Sequence, residues 1–194
     1  ALSNKDISKS AWYIVGNSNS GKSTLINNIG HLNKSIEIIE VDNIEDVNLS
    51  GSEGIIALLD LNMKKNIEVL EKVKNIDDNY KKVVILNKID ELMYIEGNAK
   101  EFRENIKNYA RRFLREEVIF MSSYYAQKWL ELKEGNIKVD EVMFDSKIVL
   151  LDKFEIPILK FINERKFLEE FEKQNYINEL IEMEKRLCLN HSQK

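Results

Sequence analysis

Eight consecutive residues, Gly16-Asn17-Ser18-Asn19-Ser20-Gly21-Lys22-Ser23, fit the pattern G-x-x-x-x-G-K-[ST]. Their types suit the cradling of a polyphosphate. Glycines at both ends let the backbone close around an anion, so that successive N–H groups and a helix N-terminus point at it. Lys22 is then placed to reach the β- and γ-phosphates, and Ser23 to offer its hydroxyl to Mg²⁺. Thr24 continues the same turn into the helix. The setting agrees: the apolar run Ala11 to Val15 (AWYIV) precedes the loop and the helix-like stretch Thr24 to Ile29 follows it. The competing reading is a plain Gly/Asn/Ser-rich turn between strand and helix.

A second constellation, Asn87-Lys88-Ile89-Asp90, directly follows the apolar run KVVIL and resembles the N-K-x-D base-recognition motif of GTPases. Asp90 can accept two hydrogen bonds from the ring N–H and exocyclic amine of guanine, whereas adenine presents no matching donors. The stem of Lys88 can cover one face of the base, and Asn87 can tie the base loop to the phosphate loop. This tetrapeptide is common by chance. At a strand end downstream of a phosphate loop it points to guanine.

The elements that must position these residues follow from apolar patterning. Strands are expected at Ala11 to Val15, Ile36 to Val41, Ile55 to Asp60, Lys82 to Asn87 and Val118 to Met121. Between them, Met63, Ile67, Leu70 and Val73 recur at helical spacing, and Ala99 to Arg115 is the clearest amphipathic helix. Buried strands alternating with such helices imply an α/β fold, a mostly parallel sheet flanked by helices, with ligand at the carboxyl ends of the strands. Asn43 to Gly54, Lys88 to Gly97 and the polar stretch Gly135 to Ser146 read as loops. Tyr124 to Leu132 reads as a short helix. A C-terminal helical extension runs from Ile148 to Leu189, with Pro157 in the first turn of a helix from Ile158. Residues 1–146 are expected to form a P-loop GTPase-like domain. Residues 147–194 either complete it or begin a neck or bundle, and the stripe Ile177, Leu180, Ile181, Leu187 and Cys188 packs on its own domain or on a partner.

Composition narrows the classes. The 194 residues carry 29 Lys+Arg against 33 Asp+Glu, a net charge of −4, so no overall basic field invites nucleic acid. Cys188 is the only cysteine, which excludes an intrachain disulfide and suits a reducing cytoplasm. No apolar run approaches the roughly 18 residues a membrane-spanning helix needs, and nothing at the start of the chain reads as a secretory leader. The expected location is cytoplasmic, at most peripheral to a membrane through regions not identifiable in this chain.

The stretches VGNSNSGKSTLIN, GIIALLDLNMKKNIEVLEKV, KKVVILNKIDEL and VIFMSSYYAQKWLEL, over about Ala11 to Leu132, resemble the GTPase domain of bacterial dynamin-like proteins, with the Era-like GTPases as near relatives. The later FEIPILKFINER is similar to the segment leading from such a domain towards a helical neck. The resemblance implies further roles. Asn17 and Ser18 would help to orient water and a charge-compensating cation. Ser122 and Ser123 occupy the place of the Ser-Ala-Lys-like turn whose backbone N–H meets guanine O6, although Ser-Ser at a strand end is also ordinary turn chemistry.

Two departures from that pattern matter. Thr24 is the only threonine, so there is no switch-I threonine to ligate Mg²⁺, and the segment from Ser23 to Ile36 is too short for a switch I and a following strand. In the place of the switch-II motif D-x-x-G stands Asp42-Asn43-Ile44-Glu45. Asp42 retains a place on the Mg²⁺ side. Glu45 replaces the glycine that would sense the γ-phosphate, and a carboxylate facing that phosphate would repel it. Asp60 is the rival to Asp42, since an aspartate ending an apolar strand is the generic pattern. No Gln or Arg stands in a switch context to orient water or act as a finger. Arg111, Arg112 and Arg115 read as a solvated helix face, and His31 and His191 as surface residues.

The expected activity is Mg²⁺-dependent hydrolysis of GTP to GDP, slow unless a homodimer or a partner G domain completes the site. The alternative is a catalytically inactive module that binds GDP or GTP and acts as an interaction subunit. An ATPase is disfavoured by Asp90.

Overall fold

The computed structural model describes residues 10–94, 98–145, 148 and 164–188. Five strands form one sheet in the order β2-β1-β3-β4-β5, and every pairing is parallel. These are β1 (Ser10–Gly16), β2 (Ile36–Glu40), β3 (Gly54–Leu59), β4 (Lys81–Leu86) and β5 (Val118–Phe120). The expected α/β class is borne out, and each expected strand lies within a residue or two of its predicted bounds. β3 is buried along its whole length, which is why it reads as an unbroken apolar run rather than an alternating one.

Seven helices accompany the sheet among the described residues: α1 (Lys22–Leu32), α2 (Met63–Lys74), α3 (Ala99–Leu114), α4 (Ser123–Lys133), α5 (Val139–Met143), α6 (Glu164–Gln174) and α7 (Ile177–Cys188). Alternate strand residues face opposite sides. Val15, Ile55, Ala57, Leu59, Val84 and Leu86 pack with Val69, Leu70 and Val73 of α2 and Ile106, Ala110 and Leu114 of α3. On the other face, Trp12, Ile14, Ile56, Leu58 and Ile85 meet Leu25 and Ile29 of α1, Ala126 of α4, and Leu180, Met183 and Leu187 of α7.

Three details differ from the sequence expectation. Within the loop Asn43 to Gly54, a 3₁₀ turn at Ile44–Asp46 buries Ile44 completely, and Leu49 also enters the core. A second 3₁₀ stretch, Ile89–Tyr94, follows β4. The polar stretch after Gly135 contains α5, whose Val142 is buried with Tyr125, Trp129, Phe167 and Phe171 in a satellite cluster of α4, α5 and α6. The helix expected from Pro157 lies outside the described residues, as does His191. No described helix is long and apolar enough to cross a membrane.

The strand order places the loop after β1 at the point where the chain switches direction across the sheet, since β2 lies on one side of β1 and β3 on the other. Open parallel sheets bind ligands outside the carboxyl ends of the strands at that position. The β1-α1-β2 unit is a complete crossover. α1 ends at Leu32, three residues turn, and β2 pairs with β1 from Ser10↔Ile36 to Ile14↔Glu40.

Candidate functional site

The loop from Gly16 to Ser23 lies against a cavity of about 690 Å³. Val15 to Asn19 and Gly21 to Thr24 form one wall, Glu40 and Asp42 at the end of β2 a second, and Lys65, Glu68, Val69 and Lys72 of α2 a third. Two residues shape the loop through left-handed backbone, Asn19 (φ 64°) and Gly21 (φ 93°). A Cβ on Gly21 would stand 2.3 Å from Asn87 Nδ2, and one on Gly16 would stand 2.4 Å from the Leu58 carbonyl oxygen. Gly21 occupies the N-cap of α1 without a side-chain cap. The caps of α2, α3 and α4 are instead made by Asn62, Asn98 and Ser122. The first N–H groups of α1 are thus left for another acceptor.

Lys22 is buried, and its three N–H donors have three neighbours. Its Nζ donates to the carbonyls of Gly16 (3.0 Å) and Asn17 (2.9 Å), and it stands 3.4 Å from Glu40 Oε1. Ser18 and Ser23 are exposed. Asn17 is half-buried, with its Nδ2 shielded and without a partner, and Ser20 is fully buried with its Oγ likewise unpartnered. The sequence reading missed Glu40 and named Glu45 as the carboxylate opposing a terminal phosphate. Glu45 is exposed and does not line the cavity.

On the other side of the Gly16 to Ser23 loop, Asn87 is 1% exposed and ties three segments together. Its Nδ2 donates to the Ser20 carbonyl (2.8 Å) and to Ser123 Oγ (2.7 Å), and its Oδ1 accepts from the Ser123 N–H (2.8 Å). The Ser123 carbonyl accepts from Nδ2 of Asn28 on α1 at 2.8 Å. Asn28 was not singled out in the sequence. The available signal was a polar residue on the buried stripe of α1, between Leu25 and Ile29.

Lys88 follows with a left-handed φ of 61° and stands 3.9 Å from Glu91. Asp90 is 7% exposed, and its Oδ1 is buried without a hydrogen-bond partner. Ser122 and Ser123 use their polar groups internally: Ser122 Oγ accepts from the Tyr125 N–H that it caps, and Ser123 is held by Asn87. Tyr124 beside them donates to Asp145. Burial first, then that bond, with the charge of Asp90 a smaller contribution, hold its hydroxyl well above the usual phenol range. Asn87, Lys88 and Asp90 do not line the cavity, which opens towards β2 and α2.

Of the two candidate metal-side aspartates, Asp42 is exposed and lines the cavity with Ser23. Asp60 serves the start of α2: its Oδ1 accepts from the Asn62 N–H (2.8 Å), and the Asn66 side chain bonds both its N–H and its carbonyl. Among the described residues no group of three His, Cys, Asp or Glu could hold a metal. One hydroxyl and one carboxylate still fit Mg²⁺, which takes few protein oxygens and completes its octahedron with phosphate and water. His31 stands at the far end of α1, half-exposed and 2.6 Å from Glu134.

No family model and no curated protein matches the chain. Among solved structures it is similar to a mutation variant of SsGBP, with 20% identity and a TM-score of 0.42 over 71% of this chain and 57% of that one. It is also similar to sup35 complexed with GDP, with 17% identity and a TM-score of 0.36 over 62% of this chain and 39% of that one. The chain therefore spans little more than half the length of the first and about two fifths of the second.

Proposed function

We propose that this chain binds guanine nucleotides with Mg²⁺ and hydrolyses GTP slowly, in the manner of a dynamin-like GTPase whose switch elements are reduced. The observation that carries the reading is the unpartnered, buried Asp90 carboxylate oxygen, in a loop that Asn87 fastens to the phosphate loop. Leaving a carboxylate oxygen buried and unpaired costs stability. Guanine supplies two adjacent N–H donors that would offset that cost at Asp90.

Lys22 and the N–H groups at the start of α1 would hold the phosphates, and Asn17 and Ser18 would face their terminal end. Ser23 and Asp42 would hold Mg²⁺, which supplies charge neutralisation for phosphoryl transfer. Neither Asn17 nor Ser18 is a general base, so acceleration is assigned to a homodimer or a partner G domain. The same reading takes the described C-terminal helices as completing this domain, supported by α7 packing on the sheet face beside α1. A non-hydrolysing interaction module is the second reading. It is favoured by the absence of a switch-I segment in the β1-α1-β2 crossover.

A single-turnover assay separates them, with protein in excess over labelled GTP, Mg²⁺ present, and bound and hydrolysed nucleotide followed together. The enzyme reading expects conversion to GDP that Lys22→Ala abolishes. Nucleotide binding without turnover would leave the module. An Asp90→Asn variant with unchanged preference between guanine and adenine nucleotides would remove the guanine assignment.

A further inference from the structure

We infer that Glu40 discriminates against the triphosphate form, so that this site takes a guanosine diphosphate in preference to the triphosphate. The inference rests on the nucleotide reading above and adds a residue to it. An ammonium has three donors and no acceptor. In Lys22 two of them are directed to the Gly16 and Asn17 carbonyls, and the nearest anion is the Glu40 carboxylate at 3.4 Å. A terminal phosphate drawn to Lys22 must share it with Glu40 or displace Glu40.

The sheet fixes the backbone of Glu40 and leaves its side chain, 43% exposed, to rotate. Glu40 is the last residue of β2, in register with Ile14 of β1, and the next N–H, that of Val41, donates to the Ile14 carbonyl at 3.0 Å. Its backbone is therefore fixed beside the phosphate loop, and only side-chain rotation remains. Strand periodicity turns Glu40 and Asp42 to the same side, and both line the cavity. Mg²⁺ held at Asp42 would offset that carboxylate and leave Glu40 against the outermost phosphate. Like charges at such range repel even near the surface. The diphosphate also meets Lys22 through its β-phosphate but brings no γ-phosphate against Glu40, so its repulsion is the smaller.

The test measures equilibrium binding of GDP and a non-hydrolysable GTP analogue to the full chain in Mg²⁺, for the native protein, Glu40→Gln and Glu68→Gln. Glu68 is the control, a carboxylate on α2 in the same cavity. Glu40→Gln is expected to raise triphosphate affinity relative to diphosphate about tenfold, the scale of a close like-charge repulsion in partly screened surroundings, while Glu68→Gln leaves the ratio unchanged. Diphosphate binding with the same ratio in native protein and Glu40→Gln would overturn the inference and leave the nucleotide reading standing. An equal shift in Glu68→Gln would also overturn it, since the cause would then be the general field of the cavity. If neither nucleotide binds any of the three folded proteins, the nucleotide reading fails and the inference falls with it. Thermal melts of the variants establish that they are folded.

Discussion

Asn87 and Ser123 lock together across the sheet: the Ser123 N–H donates to Asn87 Oδ1 at 2.8 Å, and Asn87 Nδ2 reaches Ser123 Oγ at 2.7 Å. With its second N–H, the same amide holds the Ser20 carbonyl. One buried side chain thus joins the ends of β1, β4 and β5. Replacing Asn87 with Ala leaves a backbone N–H and a carbonyl unpaired out of reach of water, at a cost of about 2 to 4 kcal/mol. The expected outcome is a melting temperature lowered by several degrees, with weaker binding of every guanine nucleotide. A melt unchanged in Asn87→Ala would mean that water or another side chain satisfies these groups.

Most of the sheet was legible because parallel strands buried on both faces must be apolar throughout, and IIALLD and KVVIL carry that signal without alternation. The Asn87-Lys88-Ile89-Asp90 stretch was legible for a different reason, since its residues are contiguous and its place at a strand end is visible in the pattern. Glu40 was not legible. In IEIIE only Ile36 is buried, and the strand lies at the sheet edge, so nothing in the sequence separates a glutamate beside Lys22 from one without a partner. The distance between Glu40 and Lys22 is created by the β1–β2 register, a tertiary property. Asn28 was obscured in the same way, because its partner is a carbonyl 95 residues away.

Gly21 and Gly30 should respond in opposite directions to the same change. Alanine at Gly21 meets a backbone at φ 93° and places its Cβ 2.3 Å from Asn87 Nδ2, which is held by two bonds and cannot step aside. The strain and the clash together should cost about 2 to 4 kcal/mol and abolish nucleotide binding. A Cβ added to Gly30, inside α1, would meet nothing within 4 Å, so Gly30→Ala should stabilise by about 0.5 to 1 kcal/mol. Denaturant midpoints check both, and a Gly21→Ala protein as stable as the native one would contradict the loop geometry.

Cys188 should be a slow thiol. Burial first, then its hydrogen bond to Glu184, pushes it up from 9.0 to about 11. Because the folded value lies above the unfolded one, this contribution to stability is complete below about pH 9 and is lost as pH rises towards 11. At neutral pH the thiolate is scarcer by about two decades, and the greater nucleophilicity of a more basic thiolate recovers about half of that on a logarithmic scale, leaving a reaction about tenfold slower than in the unfolded chain. Disulfide exchange with a chromogenic reagent, in native buffer and in denaturant, measures the ratio; equal rates would remove the shielding argument.

Asp42 and Asp60 should separate metal dependence from stability. Asp42 shares the cavity with Ser23 and is exposed, whereas Asp60 commits its carboxylate to the Asn62 N–H ahead of α2. Asp42→Asn removes a hard anionic oxygen that Mg²⁺ prefers, with no buried partner left behind. Its melting temperature should hold, and the difference in nucleotide affinity between Mg²⁺ and a chelator should shrink. Asp60→Ala should do the reverse: the loss of a local turn at the helix start costs about 1 kcal/mol, and the Mg²⁺ dependence should survive. Titrations of each variant with and without the metal, beside a thermal melt, give both readouts. If Asp60→Ala abolished the Mg²⁺ effect while Asp42→Asn preserved it, the metal side of the site would move from the end of β2 to the end of β3, across β1. Glu40 would then face a phosphate loop approached from the opposite side.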